Sequence, residues 1–168
     1  NRPLADHVAL LAPHGARVAS YHQLCDQLLR AHGQHCDLQG TAAHRWQEAA
    51  FAALPLRDED RVDELIIDEG QDFHANWRDS LLRLLRSDGR AWWLEDPQQN
   101  LYELPEVALP GWVRIRSESN YRIPADIVQH LNRHLHLAQP VQAGSPVTGA
   151  SVELEVWDGP EQLHDKTL

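Results

Sequence analysis

The alternation of apolar runs and polar breaks predicts strands separated by amphipathic helices. A short strand is expected at 17–20, "RVAS", followed by a helix over "YHQLCDQLLRAHG". In that helix Leu24, Leu28 and Leu29 recur at helical spacing until Gly33 stops it. Thr41 is suited to cap a second helix, where Trp46, Ala49, Ala50 and Ala53 form an apolar stripe that Pro55 ends. The charged connector "PLRDEDRVD" leads into a greasy strand at 64–67. A further helix is expected from about Ala75 to Arg86, with Trp77, Leu81, Leu84 and Leu85 on its buried face and "SDG" at 87–89 as its stop.

"RAWWLED" then reads as a strand ending in acids, and "VRIRS" at 113–117 as a third strand of alternating character. Pro124 suits the first turn of a helix whose Ile127, Val128, Leu131 and Leu135 share one face. Residues 138–150, rich in Pro, Gly and small side chains, read as a linker. Beyond it, "SVELEVW" starts a new strand and "DGPEQLHDKTL" a helix. Strands alternating with helices imply an α/β protein built on a largely parallel sheet flanked by helices. Ligands of such sheets bind at the carboxyl ends of the strands, where Asp68, Glu69 and Asp96 fall.

Composition narrows the class. An apolar fraction of 42% and six Trp in 168 residues describe a globular chain with a real core. No apolar stretch reaches membrane-spanning length and the N-terminus lacks a signal pattern, so a cytoplasmic location without membrane contact is expected. A net charge of −10 without a basic block is not the usual footprint of a nucleic-acid binder, so a polyanion would need a local patch. The chain has no methionine and opens at Asn1, from which a trimmed domain is expected. Cys25 and Cys36, near His22, His32 and His35, allow two readings, reduced thiols or a mixed zinc site. The spacing fits no recurrent zinc pattern. His130 and His134, four apart, read as a solvated helix face.

The stretch "ELIIDEGQDF" carries the chemistry. A hydrophobic strand that runs into Asp68 and Glu69 sets two carboxylates at a strand end, where they are costly unless paired or facing a cation. Many nucleotide hydrolases use such a pair, the first carboxylate to hold magnesium through water and the second to take a proton from the attacking water. A second polar cluster, "LEDPQQNLYE" at 94–103, also follows a strand, so its side chains should reach the same edge as Asp68. A third, "SESNYRIPADI" at 117–127, contains Arg122, whose planar donor fork suits phosphate oxygens. Asp72 is expected to tie down the turn, and Tyr21, Tyr121, Trp92 and Trp93 to pack in or near the core.

In these clusters the chain resembles the UvrD/Rep-type superfamily 1 DNA helicases. "DEGQDF" is similar to the family's Asp-Glu-x-Gln-Asp Walker B motif, and "EDPQQNLY" to its Gly-Asp-x-x-Gln-Ser-Ile-Tyr motif. "NYR" resembles its Asn-Tyr-Arg motif, and "SYHQL" at 20–24 its Thr-Phe-His-x-Phe motif. The four occur in the family's order between residue 20 and about residue 127. The resemblance implies a partial P-loop NTPase, or RecA-like, domain that works with ATP and Mg2+ on single-stranded DNA, alongside other DNA-processing proteins. It implies that Asp68 coordinates magnesium and Glu69 polarises the hydrolytic water. Gln99 would sense the γ-phosphate, and Arg122 would stabilise charge developing there. Ser20 and His22 fall where the family touches or supports the DNA backbone, and Tyr102 where an aromatic stacks on bases or packs beneath the loop.

The match has gaps. No stretch reads Gly-x-x-x-x-Gly-Lys-Ser/Thr, so the lysine and amide cradle for phosphates are not in these residues. The resemblance therefore implies that 1–137 is the rear part of a first RecA-like domain, 138–150 a linker and 151–168 the start of a second. On this view the phosphate loop lies upstream and the isolated stretch does not turn over ATP. Glu95 and Asn100 replace the usual Gly and Ser, Leu104 stands where a second stacking aromatic is common, and the interval before "DEGQDF" is short for an accessory domain. Two alternatives stay open: a helicase-like binding scaffold for nucleic acid or protein, and a carboxylate-metal nuclease using Asp68, Glu69 and Asp96.

Overall fold

A computed structural model describes residues 2–136 and 140–151. The chain divides into two compact units, Asn1–Pro110 and Gly111–Leu168. In the first, helices α1 (Arg2–Leu11), α2 (Tyr21–Ala31) and α3 (Gly40–Ala53) precede strand β1 (Val62–Ile67). Helix α4 (Ala75–Leu82) then crosses to strand β2 (Leu85–Trp93). β1 and β2 pair in parallel, with Glu64 opposite Arg90 and Ile67 opposite Trp93. The architecture is thus mixed α/β with a short parallel sheet and flanking helices, built here around one βαβ unit.

The core forms where the predicted helical stripes meet one face of this sheet. Tyr21, Cys25, Leu28 and Leu29 from α2 pack with Phe51, Leu54, Ile67, Leu81 and Leu84 in one buried cluster. Leu65 and Trp93 lean on it from the strands. The strand at 64–67 is buried on this face only, for Ile66 on the other face is 62% exposed and its register partner Trp92 is 47% exposed.

Several expected elements move. Residues 17–20 are not a strand. No ladder partner lies beside them among the described residues, and the Ser20 N–H instead donates to Gln23 Oε1 at 2.9 Å at the start of α2. Helix α1 was not anticipated. Helix α4 stops at Leu82 rather than Arg86, because the chain is captured by the sheet: Val62 N–H donates to Leu84 O at 2.8 Å. Strand β2 consequently starts at Leu85, and the expected break at "SDG" becomes an irregularity in the ladder between the Val62–Leu85 and Glu64–Arg90 pairs.

The second unit holds strand β3 (Ser119–Asn120), helix α5 (Ala125–His134) and strand β4 (Gln142–Ala143), with β3 and β4 parallel. Pro124 serves as the N-cap of α5 rather than in its first turn, and Val128 is its buried residue. The Asn132 side chain donates to Val141 O at 2.7 Å and accepts from Val141 N at 2.9 Å, so part of the stretch read as linker is pinned to α5. The expected strand at 113–117 does not form. Val113 and Ile115 are 88% and 84% exposed, because their alternating pattern meets neither a ladder nor a covering layer among the described residues. The strand and helix expected after residue 151 lie outside the described residues.

Candidate functional site

Parallel pairing brings the carboxyl ends of β1 and β2 side by side, and with them the first two polar clusters. The ladder runs past the strands: Leu94 N–H donates to Ile67 O at 2.8 Å, and Gly70 N–H to Leu94 O at 2.8 Å. Gly70 has to be glycine here, since a Cβ would fall 2.2 Å from Trp93 Nε1. The residue before it, Glu69, adopts the left-handed region at φ 54°, ψ 45°, a conformation uncommon for a non-glycine residue. A 3-10 turn over Gly70–Asp72 follows. It is closed by the Asp72 backbone amide on Glu69 O at 2.9 Å, so the backbone rather than the Asp72 carboxylate ties the turn.

Both acidic groups at the end of β1 are exposed. Asp68 Oδ1 accepts only the Glu69 N–H, at 3.1 Å, and its other oxygen has no hydrogen-bond partner among the described residues. Glu69 Oε2 accepts from Gln71 Nε2 at 2.7 Å. The other end of the Gln71 amide, Oε1, accepts the Asp96 N–H at 3.0 Å. Asp96 opens a second 3-10 turn, Pro97–Gln99, where its carboxylate accepts from Gln98 N at 3.1 Å and from Gln99 Nε2 at 2.6 Å. Glu69, Gln71, Asp96 and Gln99 therefore form one hydrogen-bonded path across two strand ends. Gln71 is the residue that reading the sequence missed. Its place two positions after Glu69 was visible, but nothing in the pattern revealed what its amide would bridge.

The loop beyond is held open by its own bonds. Asn100 donates to Leu104 O at 2.8 Å and accepts from Leu104 N at 3.0 Å, while Glu103 takes a left-handed φ of 51°. Tyr102 at its tip is 70% exposed, so its ring does not pack beneath the loop. Glu95 accepts from Trp93 Nε1 at 2.8 Å. Asp68, Glu69, Asp96, Gln99 and Tyr102 thus belong to the first unit. Arg122 belongs to the second, where its side chain is exposed and its backbone N–H donates to Asn120 Oδ1 at 3.0 Å.

Ser20 and His22 sit at the start of α2. His22 Nε2 lies 3.0 Å from Glu48 Oε1, and its ring stacks on His44 with centroids 4.0 Å apart. Its polar edge is therefore engaged within the protein. Tyr21 packs on Trp77 at 4.2 Å, in the core as expected, whereas Tyr121 is 72% exposed, against expectation. Cys25 is wholly buried, and burial pushes its thiol up to about 12, which leaves it protonated and inert. His32 is paired with Asp60 at 2.8 Å, both nearly out of solvent. No group of three or more His, Cys, Asp or Glu side chains is placed to hold a metal among the described residues. The chemistry of the Asp68 carboxylate, exposed and with a free oxygen, fits a hard cation held through water.

A groove of about 480 Å³, lined by Asp58, Arg61, Leu85, Arg86, Ser87 and Asp88, lies at the opposite, amino end of the strands and takes no part in this site. No helix among the described residues is long and apolar enough to cross a membrane. Comparison with protein-family models, curated proteins and solved structures finds no match to this chain.

Proposed function

We propose that this chain carries the metal- and water-handling part of an ATP-hydrolysis site in a UvrD/Rep-type superfamily 1 DNA helicase, within a partial RecA-like domain. The observation that supports the reading most is the junction of the two strand ends, where "DEGQD" and "EDPQQ" share one hydrogen-bonded edge. Parallel pairing brings the two clusters together at the carboxyl edge of the sheet, the place where such folds bind ligands.

When bound, magnesium-ATP supplies an electrophilic γ-phosphorus and a charge for Asp68 to hold through water. Glu69 orients the attacking water and accepts its proton at Oε1, the oxygen not engaged by Gln71. Gln99 Nε2, which the fold bonds to Asp96, would be the donor for a phosphate oxygen. Arg122, in the second unit, is the guanidinium that the resemblance assigns to the developing charge. Tyr102, exposed at the loop tip, offers one ring face to a base of single-stranded DNA. Amides and a lysine for the phosphates must come from outside these 168 residues.

The test is steady-state ATP hydrolysis by the full-length protein with and without single-stranded DNA. Glu69→Gln should lower DNA-stimulated kcat on the order of 10²–10⁴-fold while nucleotide binding persists. Undiminished turnover in that variant removes the assignment. A full-length protein that binds DNA but neither binds nor hydrolyses ATP is instead a helicase-shaped binding module.

A further inference from the structure

We propose that Gln71 is a positioning residue that ties the Glu69 carboxylate to the Asp96–Gln99 turn, so that the two polar strand ends respond as one unit; the inference rests on the hydrolase reading above. The position uses both ends of one amide. Nε2 donates to Glu69 Oε2 at 2.7 Å, and Oε1 accepts the Asp96 N–H at 3.0 Å. Glutamate here would offer two acceptors and lysine only donors, while asparagine is one methylene shorter. Only a glutamine-length amide satisfies both partners from this point of the turn.

The carboxylate needs such a tether because its own backbone does not provide one. Glu69 stands in the left-handed region, and Gly70 behind it is pressed against the Trp93 ring, which blocks a shift of the turn toward β2. The backbone therefore fixes where the Glu69 side chain leaves the chain, and the bond from Gln71 fixes where its carboxylate comes to rest. A general base must lie within hydrogen-bond reach of its water, and small misplacements are costly in rate.

The same path carries information the other way. Gln99 Nε2 is bonded to Asp96 Oδ2 at 2.6 Å, so an anionic oxygen that captures Gln99 releases one arm of Asp96. The Asp96 amide is the group that holds Gln71, and Gln71 holds Glu69. Phosphate contact at one strand end is thereby reported to the base at the other.

Two measurements test this. In this chain, amide hydrogen exchange at Asp96 is followed by NMR. Gln71→Met removes both bonds and should speed exchange by about tenfold or more. Glu69→Ala should also speed it, since Gln71 loses its far anchor, and Gln71→Glu, which loses that anchor but keeps an acceptor for the Asp96 amide, should speed it less than Gln71→Met. In the full-length protein, Gln71→Met and Gln71→Glu should both lower kcat on the order of 10²-fold. KM for ATP should stay within about twofold. Protection at Asp96 that is indifferent to Gln71→Met or to Glu69→Ala overturns the link. Normal kcat in both Gln71 variants overturns the positioning role. A wild-type protein without DNA-stimulated turnover sinks the hydrolase reading and the positioning role together, while the exchange pattern decides separately whether the link exists.

Discussion

The two units of this chain begin from similar patterns and end differently. In the first, "ELIIDEGQD" and "RAWWLED" become paired strands, because α2, α3 and α4 supply six buried side chains (Tyr21, Cys25, Leu28, Leu29, Phe51 and Leu81) for one face of the sheet to cover. In the second, "VRIRSESNYR" has the same outline, apolar alternation running into polar residues, yet Val113 and Ile115 stay exposed. That unit is held more by side chains that bond to backbone. Asn120 accepts the Arg122 and Ile123 amides, Asn132 brackets Val141, and Asp126 accepts the Gly149 amide. A strand pattern becomes a strand when a ladder and a core receive it; otherwise polar side chains organise the chain one turn at a time.

The contrast can be broken most forcefully at Phe51, which is fully buried. Phe51→Ala should destabilise the first unit by about 3–5 kcal/mol, whereas Val128→Ala should cost the second about 2 kcal/mol. Hydrogen exchange resolved by residue under denaturant reads the two separately. Equal losses would mean that the second unit has a core of the same weight.

Next in size is the His32–Asp60 pair, which joins the end of α2 to the turn before β1. Burial opposes the Asp60 charge, but the Arg57 amide and the His32 imidazole outweigh it and hold the carboxyl below its ordinary range. The folded state then binds this proton less readily than the unfolded state. The resulting stability is present above the unfolded carboxylate pKa and is lost as pH falls through the depressed folded value. His32→Ala should cost about 2–3 kcal/mol near neutral pH and flatten that acid-side loss. Chemical denaturation across pH 2–7 (on the order of six points, to bracket the carboxylate range) checks both. An unchanged acid slope would place the linkage elsewhere.

Smaller effects sharpen the comparison. Gly70→Ala should destabilise the first unit by about 1–3 kcal/mol, because the new methyl meets the Trp93 ring, and thermal unfolding measures it. Ile115→Thr should change stability by no more than about 0.5 kcal/mol, as expected for an exposed side chain. A loss of several times that would show that the 113–117 stretch is covered after all.

Much of the fold was legible. Leu24, Leu28 and Leu29 mark α2 without ambiguity, Gly33 does stop it at φ +73°, and the carboxyl ends of β1 and β2 carry their acids as the pattern says. Boundaries were less so. Nothing local marks Leu84 and Leu85 as turn and strand rather than helix, since leucine is a good helix former. The hydrogen bond from Val62 decides. For the candidate site, Asp68 and Glu69 could be named from the pattern, because acids at a strand end are a local feature, whereas Gln99 was named only through the likeness to helicases. The likeness to helicases is likewise a property of short stretches in order.

What the sequence alone determined is therefore the inventory: which helices have an apolar stripe, which strands end in carboxylates, and which residue types are present for phosphate and metal chemistry. Tertiary structure alone decided the pairings. Gln71 meets Asp96 across 25 positions, His32 meets Asp60 across 28, and Gly70 lies under Trp93. Periodicity reports the environment of one element at a time, whereas a hydrogen bond between strand ends depends on register, and register is set only when the whole face of the sheet finds its core.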